Sequence, residues 1–585
     1  MSEHGFQAQK VPRFDRTFFE SGEPLMCIGD GEIGGKASGL ARIRGVLEAT
    51  FGPAGAGGIR IDIPRLVVIT TDVFDAFLQR NDLHELALSD LPDQRIAHAF
   101  QKAALPTEIT GDLKALMNRV RSPLAVRSSS LLEDALFRPF AGVYETKMTP
   151  NNQHDPADRF RKLVEAIKYV WSSTFFKAPK SYVRATDKTI ADEKMAVIIQ
   201  EVVGCRHDDR YYPDLSGVCR SYNFYPLARA RPQDGVVNLA LGLGKTIVDG
   251  GITWSYSPAR PRMPPPFASV RDQIKNTQTE FWAVNMGKPP AFDPIAEAEY
   301  LLQADLTAAE YDRTLTLLAS TYDVRSDRLS PGVGINGPRV LNFAPLLELR
   351  HYPLNDVLQR MLAACENALA APVEIEFAMT FPHRGGPDTP RLGFLQVRPM
   401  VVSEQQVDLA EAEFAGADVL AASTKVLGNG VDDQIADVVY VKPDSFEARH
   451  TQAVAHELEK FNTTLLNAGR PYLLIGFGRW GSSDPWLGIP VQWGQISGAR
   501  VIVEATLPNM IVELSQGSHF FHNLSSFEVS YFMVPHHARP GIDWAWLDRR
   551  QIVAETEFVR HVRLSHRLLV RVDGRVARGV IRHPD

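Results

Sequence analysis

LAVRSSSLLEDALFRPFAGVYET, residues 124–146, places Arg127 at the end of a short apolar run. Three serines follow (Ser128, Ser129, Ser130), then the acidic pair Glu133 and Asp134 and a Phe-Ala-Gly. Small hydroxyl residues let a main chain approach a phosphate closely, and a guanidinium offers it a fixed fork of donors. A strand running into a serine-capped helix has the same pattern, so the stretch needs support from elsewhere. No Gly-x-Ser-x-Gly elbow surrounds the serines, which sets a serine nucleophile aside.

Two distant segments supply that support. In IGDGEIGGKASGLARIRGVL, residues 28–47, glycines give way to Leu40, Ile43, Val46 and Leu47 at helical spacing, a loop feeding a helix. Gly34-Gly35-Lys36 there sets backbone amides and an ammonium where a nucleotide phosphate can be held. The other segment is a pair of strands, VEIEFA (373–378) and LGFLQV (392–397), joined by a glycine- and proline-rich loop with His383 and Arg384. Alternation puts Glu374 and Glu376 on one face and Phe377 on the other, while Gln396 and Arg398 share a face before Pro399 stops the strand. A carboxylate beside an amide oxygen suits Mg²⁺, and Arg398 would neutralise charge on a phosphoryl in transfer.

The bulk numbers set the class. A chain of 585 residues and 65.0 kDa is too long for one core and implies two to four domains. A net charge of −6 gives no reason to expect nucleic acid or an anionic membrane surface. Four scattered cysteines without a Cys-x-x-Cys indicate neither a disulfide framework nor a zinc site. No apolar run nears the ~20 residues of a membrane span, and MSEHGFQAQK lacks a signal-peptide core. A cytoplasmic protein is expected.

Further elements follow from pattern. Strands are expected at 65–70, 195–203 and 236–243, the last closing on Gly244-Lys245. A helix is expected at 73–83, capped by Thr71 or Asp72, and an amphipathic helix at 354–370. From about residue 403 an acidic linker leads into an α+β segment with a helix at 445–466 and strands at 472–475, 500–504 and 529–534. It ends in LLVRVDGRVARGVI, where Asp573-Gly574 suits a tight type I′ turn.

Taken in order, GGKASGL, VRSSSLLED…FAGVYET, MAVIIQEVV, SGV, GLGKTIVDGG, EIEFA and LQVRPM resemble the nucleotide-binding part of phosphoenolpyruvate synthase and pyruvate phosphate dikinase, over about residues 25–400. The resemblance implies an α/β ATP-grasp domain of two lobes, 1–235 and 236–402, followed by a smaller α+β domain, 403–585, with acceptor binding as one candidate role. It implies that Lys36, Arg127 and Arg398 touch ATP phosphates and carry catalysis. Thr146 would lie near those phosphates, Gln200, Glu201 and Val203 would meet the adenine, and Glu376 and Gln396 would hold Mg²⁺. Two departures stand out. Lys245 replaces the acid of the family's Gly-Leu-Gly-Glu, altering ribose or metal contacts or adding a phosphate ligand. The family's carrier-histidine motif is absent: the nearest string, GFGRWGSSDPWLGIP (476–490), holds no histidine, and the residues after 403 are too few for the family's barrel of ~250.

Other candidates are His519 and His522 in GSHFFHN, as phosphoryl acceptors or as packed rings; His536, His537, His561 and His566 read as solvated. Trp480 and Trp486 in GRWGSSDPW either line an acceptor pocket or close a core. Seven arginines between Arg560 and Arg582 read as a solvated, charge-protected edge rather than a basic binding strip. The expected function is an ATP-dependent phosphotransferase acting on an unidentified acceptor, a small molecule or a carrier protein, with no membrane partner and with homo-oligomerisation open. The alternatives are a dikinase half-enzyme that phosphorylates a histidine on a separate chain, and a nucleotide-binding regulator without transfer.

Overall fold

The glycine-rich loop at 28–33 runs into the helix Gly34–Phe51, which buries Ala37, Leu40, Ile43, Leu47 and Phe51 at the spacing of one helical face. The computed structural model describes the chain apart from residues 1–10, 16–18, 21, 132, 134–142, 185–189, 225–229, 264–266, 268, 383–387, 401, 403–406, 483–485, 509, 511–523, 525–528, 575 and 584–585. His383, Arg384, His519 and His522 lie outside the described residues. The fold is mixed α/β with several sheets. It divides into two compact units, one of residues 1–177, 190–223 and 227–400, the other of 178–189, 224–226 and 401–585.

In the first unit one sheet runs Leu25–Ile28, Leu66–Ile69, Met195–Glu201, Leu124–Ser130, Thr146–Thr149. Its inner strands are nearly continuous apolar runs because both faces are covered. The other large sheet runs Trp254–Tyr256, Val236–Leu241, Leu215–Arg220, Val373–Thr380, Arg391–Pro399, Arg60–Asp62. Leu215–Arg220 pairs on both sides within this second sheet, so the chain changes sheets before residue 215 rather than at 236. Residue 236 begins the next strand of the same sheet, Val236–Leu241. Helices Gly34–Phe51 and Leu354–Leu369 pack together over this core.

The helix after Leu66–Ile69 spans Thr71–Arg80, and neither Thr71 nor Asp72 caps it: Thr70 is the cap residue, without a side-chain cap bond. Asp72 instead accepts the amides of Asp30 and Gly31 at 3.0 and 2.9 Å, and Thr71 Oγ1 accepts that of Glu32. These side chains fix the loop that opens the first helix.

The second unit departs from the α+β expectation. Asp437–Val441, Tyr472–Phe477, Ala499–Ala505 and Ser530–Val534 are mutually parallel at the centre of a seven-stranded sheet. The helix Thr451–Asn467 is the crossover between the first two. Apolar runs such as YLLIGF reveal burial on both faces, but pairing direction is fixed by the crossover, which strand patterning does not encode. The terminal hairpin pairs Asp573 with Arg578, leaving four residues between them rather than a two-residue I′ turn.

His561 is buried rather than solvated, its Nε2 2.8 Å from Asp437, while His536, His537 and His566 are exposed. Trp480 is buried and donates to the Val503 carbonyl, whereas Trp486 is 75% exposed, so the two do not face one pocket. No helix among the described residues is long and apolar enough to cross a membrane.

Candidate functional site

Two charged clusters meet on the strand Leu124–Ser130. The first is built round Lys36 in the opening turn of its helix. Gly34 adopts φ +75°, and a Cβ there would stand 1.7 Å from the Ser129 carbonyl; one on Gly35 would stand 1.6 Å from that of Glu133. Only glycine lets this turn lie against the serine strand. Ser129 Oγ then donates to the Ile33 carbonyl and accepts the Ala37 amide, locking the helix start in place. Lys36 Nζ donates to Glu133 at 2.7 Å and to Ser128 Oγ at 3.0 Å. Glu133, 1% exposed, also accepts Ser128 Oγ and the Ser130 amide. Its own amide donates to Ser130 Oγ, so Ser130-x-x-Glu133 forms a reciprocal pair like a capping box. Lys36 has three protons and two acceptors among the described residues, and its side chain is 13% exposed. The first amides of a helix, here those of Gly34 to Lys36, have no helical acceptor, which adds anion-binding groups beside the ammonium.

The second cluster is centred on Arg127. Its Nη1 donates to Gln200 Oε1 at 3.3 Å and the Leu395 carbonyl at 3.1 Å. Its Nη2 donates to Gln396 Oε1 at 2.8 Å and Glu376 Oε2 at 3.4 Å. A β-bulge makes this possible. Glu376 pairs with Gln396, the next pair is Phe377 with Phe394, and the skipped residue is Leu395, whose carbonyl serves Arg127. Arg398 donates through Nε to Glu374 at 2.7 Å and through Nη2 to Glu376 at 3.3 Å. Glu374 is buried and also bonded by Arg220, so two guanidiniums hold it.

The remaining expected residues surround these. Thr146 pairs directly with Arg127 across the strands. Gln200 is buried under Arg127 with its amide nitrogen toward the Pro64 carbonyl, at 3.4 Å. Glu201 accepts from Ser122 Oγ at 2.7 Å, and Val203 is buried against Gly393.

Lys245 is not brought to either cluster: it binds Asp249 at 3.1 Å and Glu297 at 3.3 Å and lies over the Trp282 ring. Burial pulls its pKa down, but Glu297 and Asp249 outweigh this and leave it raised. Nearby Glu145, which precedes Thr146, is pushed up to about 7 by burial and by the Glu297 charge. Lys147 is buried against Glu299 at 2.7 Å and caps the carbonyls of Asp293, Pro294 and Ala296, and burial lowers its pKa.

Sequence reasoning did not single out Glu133 as the partner of Lys36, or Arg220. The Ser-x-x-Glu spacing signals the first; nothing local signals the second, which meets Glu374 only through sheet register. Among the described residues no group of three or more His, Cys, Asp or Glu could hold a metal ion. The Glu376 and Gln396 oxygens are one carboxylate and one amide, and Arg127 lies against both.

Residues 30–416 match the family model described as the AMP/ATP-binding domain of pyruvate phosphate dikinase, and the chain belongs to that family. It is also 26% identical over 193 residues to the "Uncharacterized phosphotransferase YvkC" of Bacillus subtilis (strain 168). That match takes in 33% of this chain and 21% of the relative.

Proposed function

We propose that this chain is an ATP-dependent phosphotransferase on a two-lobed ATP-grasp domain, moving a phosphoryl group from ATP to a small molecule or a carrier protein. The observation that carries the reading is the convergence on one carboxylate. Arg127 from one sheet and Arg398 from the other both bond Glu376, and Arg127 also bonds Gln396. In this reading Lys36, Arg127 and Arg398 take the phosphates, Thr146 lies beside them, and Gln200, Glu201 and Val203 meet the base. Family membership and the phosphotransferase relative both support it.

Glu376 and Gln396 would hold Mg²⁺, which would supply neutralisation of phosphate charge. The fit rests on the donor set. Both atoms are hard oxygens, and both already face a cation, the Arg127 guanidinium.

The chain's own groups do the positioning. Glu133 and Ser128 hold Lys36 upright, leaving one ammonium proton for a phosphate oxygen. Phosphate oxygens compete with Glu376 and Gln396 for the Arg127 fork. Arg398, braced by Glu374, offsets charge as it develops on the transferring group, and catalysis is mostly positioning and charge neutralisation.

The test is incubation of the full chain with ATP labelled at the β or γ position, with and without candidate acceptors. Release of ADP with a labelled acceptor supports the reading. Release of AMP and phosphate moves it to dikinase chemistry, and tight binding without turnover overturns it in favour of a regulator. Full turnover in a Glu376→Ala, Gln396→Ala variant would remove the metal assignment.

A further inference from the structure

Leu124–Ser130 and Thr146–Thr149 pair antiparallel, with Leu124 opposite Thr149, so the chain enters the first strand and leaves the second at one end of the sheet. A cavity of about 300 Å³ opens there. Arg121 and Pro123 line it from before the first strand and Asn151 and Asn152 from after the second. Arg206 and Tyr211, directly opposed on the paired strands Cys205–His207 and Arg210–Tyr212, face it together. None of the residues placed above at the nucleotide or the metal lines it. Its walls are fixed from within the chain. Asn151, at φ +51°, donates through Nδ2 to the carbonyls of Val120 and Ser122 at 3.0 and 2.9 Å. Those carbonyls flank Arg121, whose main chain is thereby pinned on both sides. Asn152 Nδ2 donates to the carbonyl of Met286, another lining residue, at 2.8 Å, and the Tyr211 hydroxyl to that of Val202 at 3.1 Å.

The charge in and behind this cavity is of one sign. Among the described residues the Arg121 guanidinium forms no ion pair or hydrogen bond. Arg206 bonds only the Asp208 carbonyl, through Nε at 2.9 Å, and its two Nη groups have no acceptor there. Behind Arg121 lies Arg159, 1% exposed. Its Nη1 donates to the Met117 and Val120 carbonyls at 2.8 and 3.2 Å, while Nε and Nη2 have no partner among the described residues. Burial and the neighbouring Arg121 charge both press its pKa down. The carboxylates nearby in sequence or contact are committed elsewhere. Glu201 accepts from Ser122 Oγ and faces a different cavity with Arg65, and Asp209 is paired with Arg210 at 3.0 Å. A buried guanidinium with no counter-ion, beside a second positive charge, is a costly arrangement that an anion in the cavity would offset.

Two guanidinium forks with open N–H groups match the oxygens of a phosphate, which each can bind bidentately. Three positive charges with no carboxylate among them favour a dianion over a monoanion such as a carboxylate. The volume is at the small end of the range of ligand pockets, about 300–1,000 Å³. From this one-signed, pre-shaped cavity we propose a second anion site in the chain, binding a small phosphate dianion, free or as a monoester, between Arg121 and Arg206. Pro123, Met286 and the Tyr211 ring give an ester's carbon group an apolar wall. Arg159 stays behind the wall and contributes its charge without touching the ligand.

Calorimetric titration of the full chain with inorganic phosphate, phenyl phosphate and acetate tests this. Both phosphates are expected to bind and acetate to bind more weakly. Tighter binding of phenyl phosphate identifies the occupant as an ester, and equal binding identifies it as free phosphate. The variant carrying Arg121→Gln with Arg206→Gln should lose about tenfold or more in phosphate affinity, because charge-assisted bonds are removed. Both side chains are exposed, so circular dichroism should show its fold intact. Arg127→Ala, which alters the proposed nucleotide site, should leave this binding unchanged. Absence of phosphate binding overturns the proposal, as does acetate binding as tightly as phosphate. So does binding that survives the double variant but falls with Arg127→Ala or is displaced by ATP, since the phosphate would then lie at the nucleotide site. None of these failures touches the phosphotransferase reading, to which Arg121 and Arg206 do not contribute.

Discussion

Replacing Glu133 by Gln tests the Lys36 cluster most sharply. The substitution keeps size and removes one buried charge whose contacts are Lys36 Nζ at 2.7 Å, Ser128 Oγ at 3.0 Å and the Ser130 amide at 3.1 Å. A glutamine has one acceptor oxygen for these donors, and its amide nitrogen must face another donor. Breaking a buried ion pair by removing one partner costs about 3–5 kcal/mol. Lys36 keeps some solvent and Ser128, which places this case near the lower end, about 3 kcal/mol. Unfolding entropy scales with chain length, so for a unit of this size that cost lowers Tm by about 4 °C. The ammonium also loses its anchor, and ATP affinity is expected to fall about tenfold, or about 1.4 kcal/mol. Differential scanning fluorimetry and calorimetric ATP titration read both effects. Combining Glu133→Gln with Lys36→Met in a double-mutant cycle should give a coupling of about 2 kcal/mol. An unchanged Tm and Kd, or coupling near zero, would refute the assigned pairing.

Three other outcomes are expected. Glu145, pushed up to about 7 mainly by burial, holds its proton in the folded chain at pH values where the unfolded chain has lost it. Stability therefore rises as pH falls from about 7 towards 4.5, by roughly 2–3 kcal/mol for this group. Glu145→Gln should flatten that part of a Tm-against-pH profile and raise Tm at pH 8; an unchanged profile removes the assignment. Arg127→Ala should cut turnover about 10²–10³-fold, with the ATP Kd read separately by calorimetry. Asp437, buried among Arg470, His561 and Arg563, has its pKa depressed because those bonds outweigh its burial. Asp437→Asn should destabilise the second unit by about 1–3 kcal/mol, measured by urea unfolding, since it removes the buried charge that accepts from Arg470, His561 and Arg563.

Much of the candidate site was legible before any folding was considered, because the residue types that suggest it lie in local motifs. Gly34-Gly35-Lys36, Arg127 with its serines, and the Glu376 and Gln396/Arg398 strands each carry a recognisable combination of residue types. The strand pattern also gave the first sheet's apolar cores, since burial on both faces leaves continuous hydrophobic runs. Pairings between distant segments were not legible. Arg127 meets the Leu395 carbonyl only because a bulge skips that residue, and Arg220 meets Glu374 only through register. Lys245 looked like a candidate phosphate ligand by position in the chain, yet Glu297 and Asp249 claim it.

The sequence by itself marked candidate nucleotide-binding residues and roughly where the second part of the chain begins. Its helical and strand periodicities follow from burial, which each segment encodes alone. The tertiary structure alone decided which charge neutralises which, that four strands of the second unit run parallel, and that Arg121 and Arg206 line one cavity. Counter-ions, strand direction and register are set between segments far apart in the chain, and no local pattern specifies a partner hundreds of residues away.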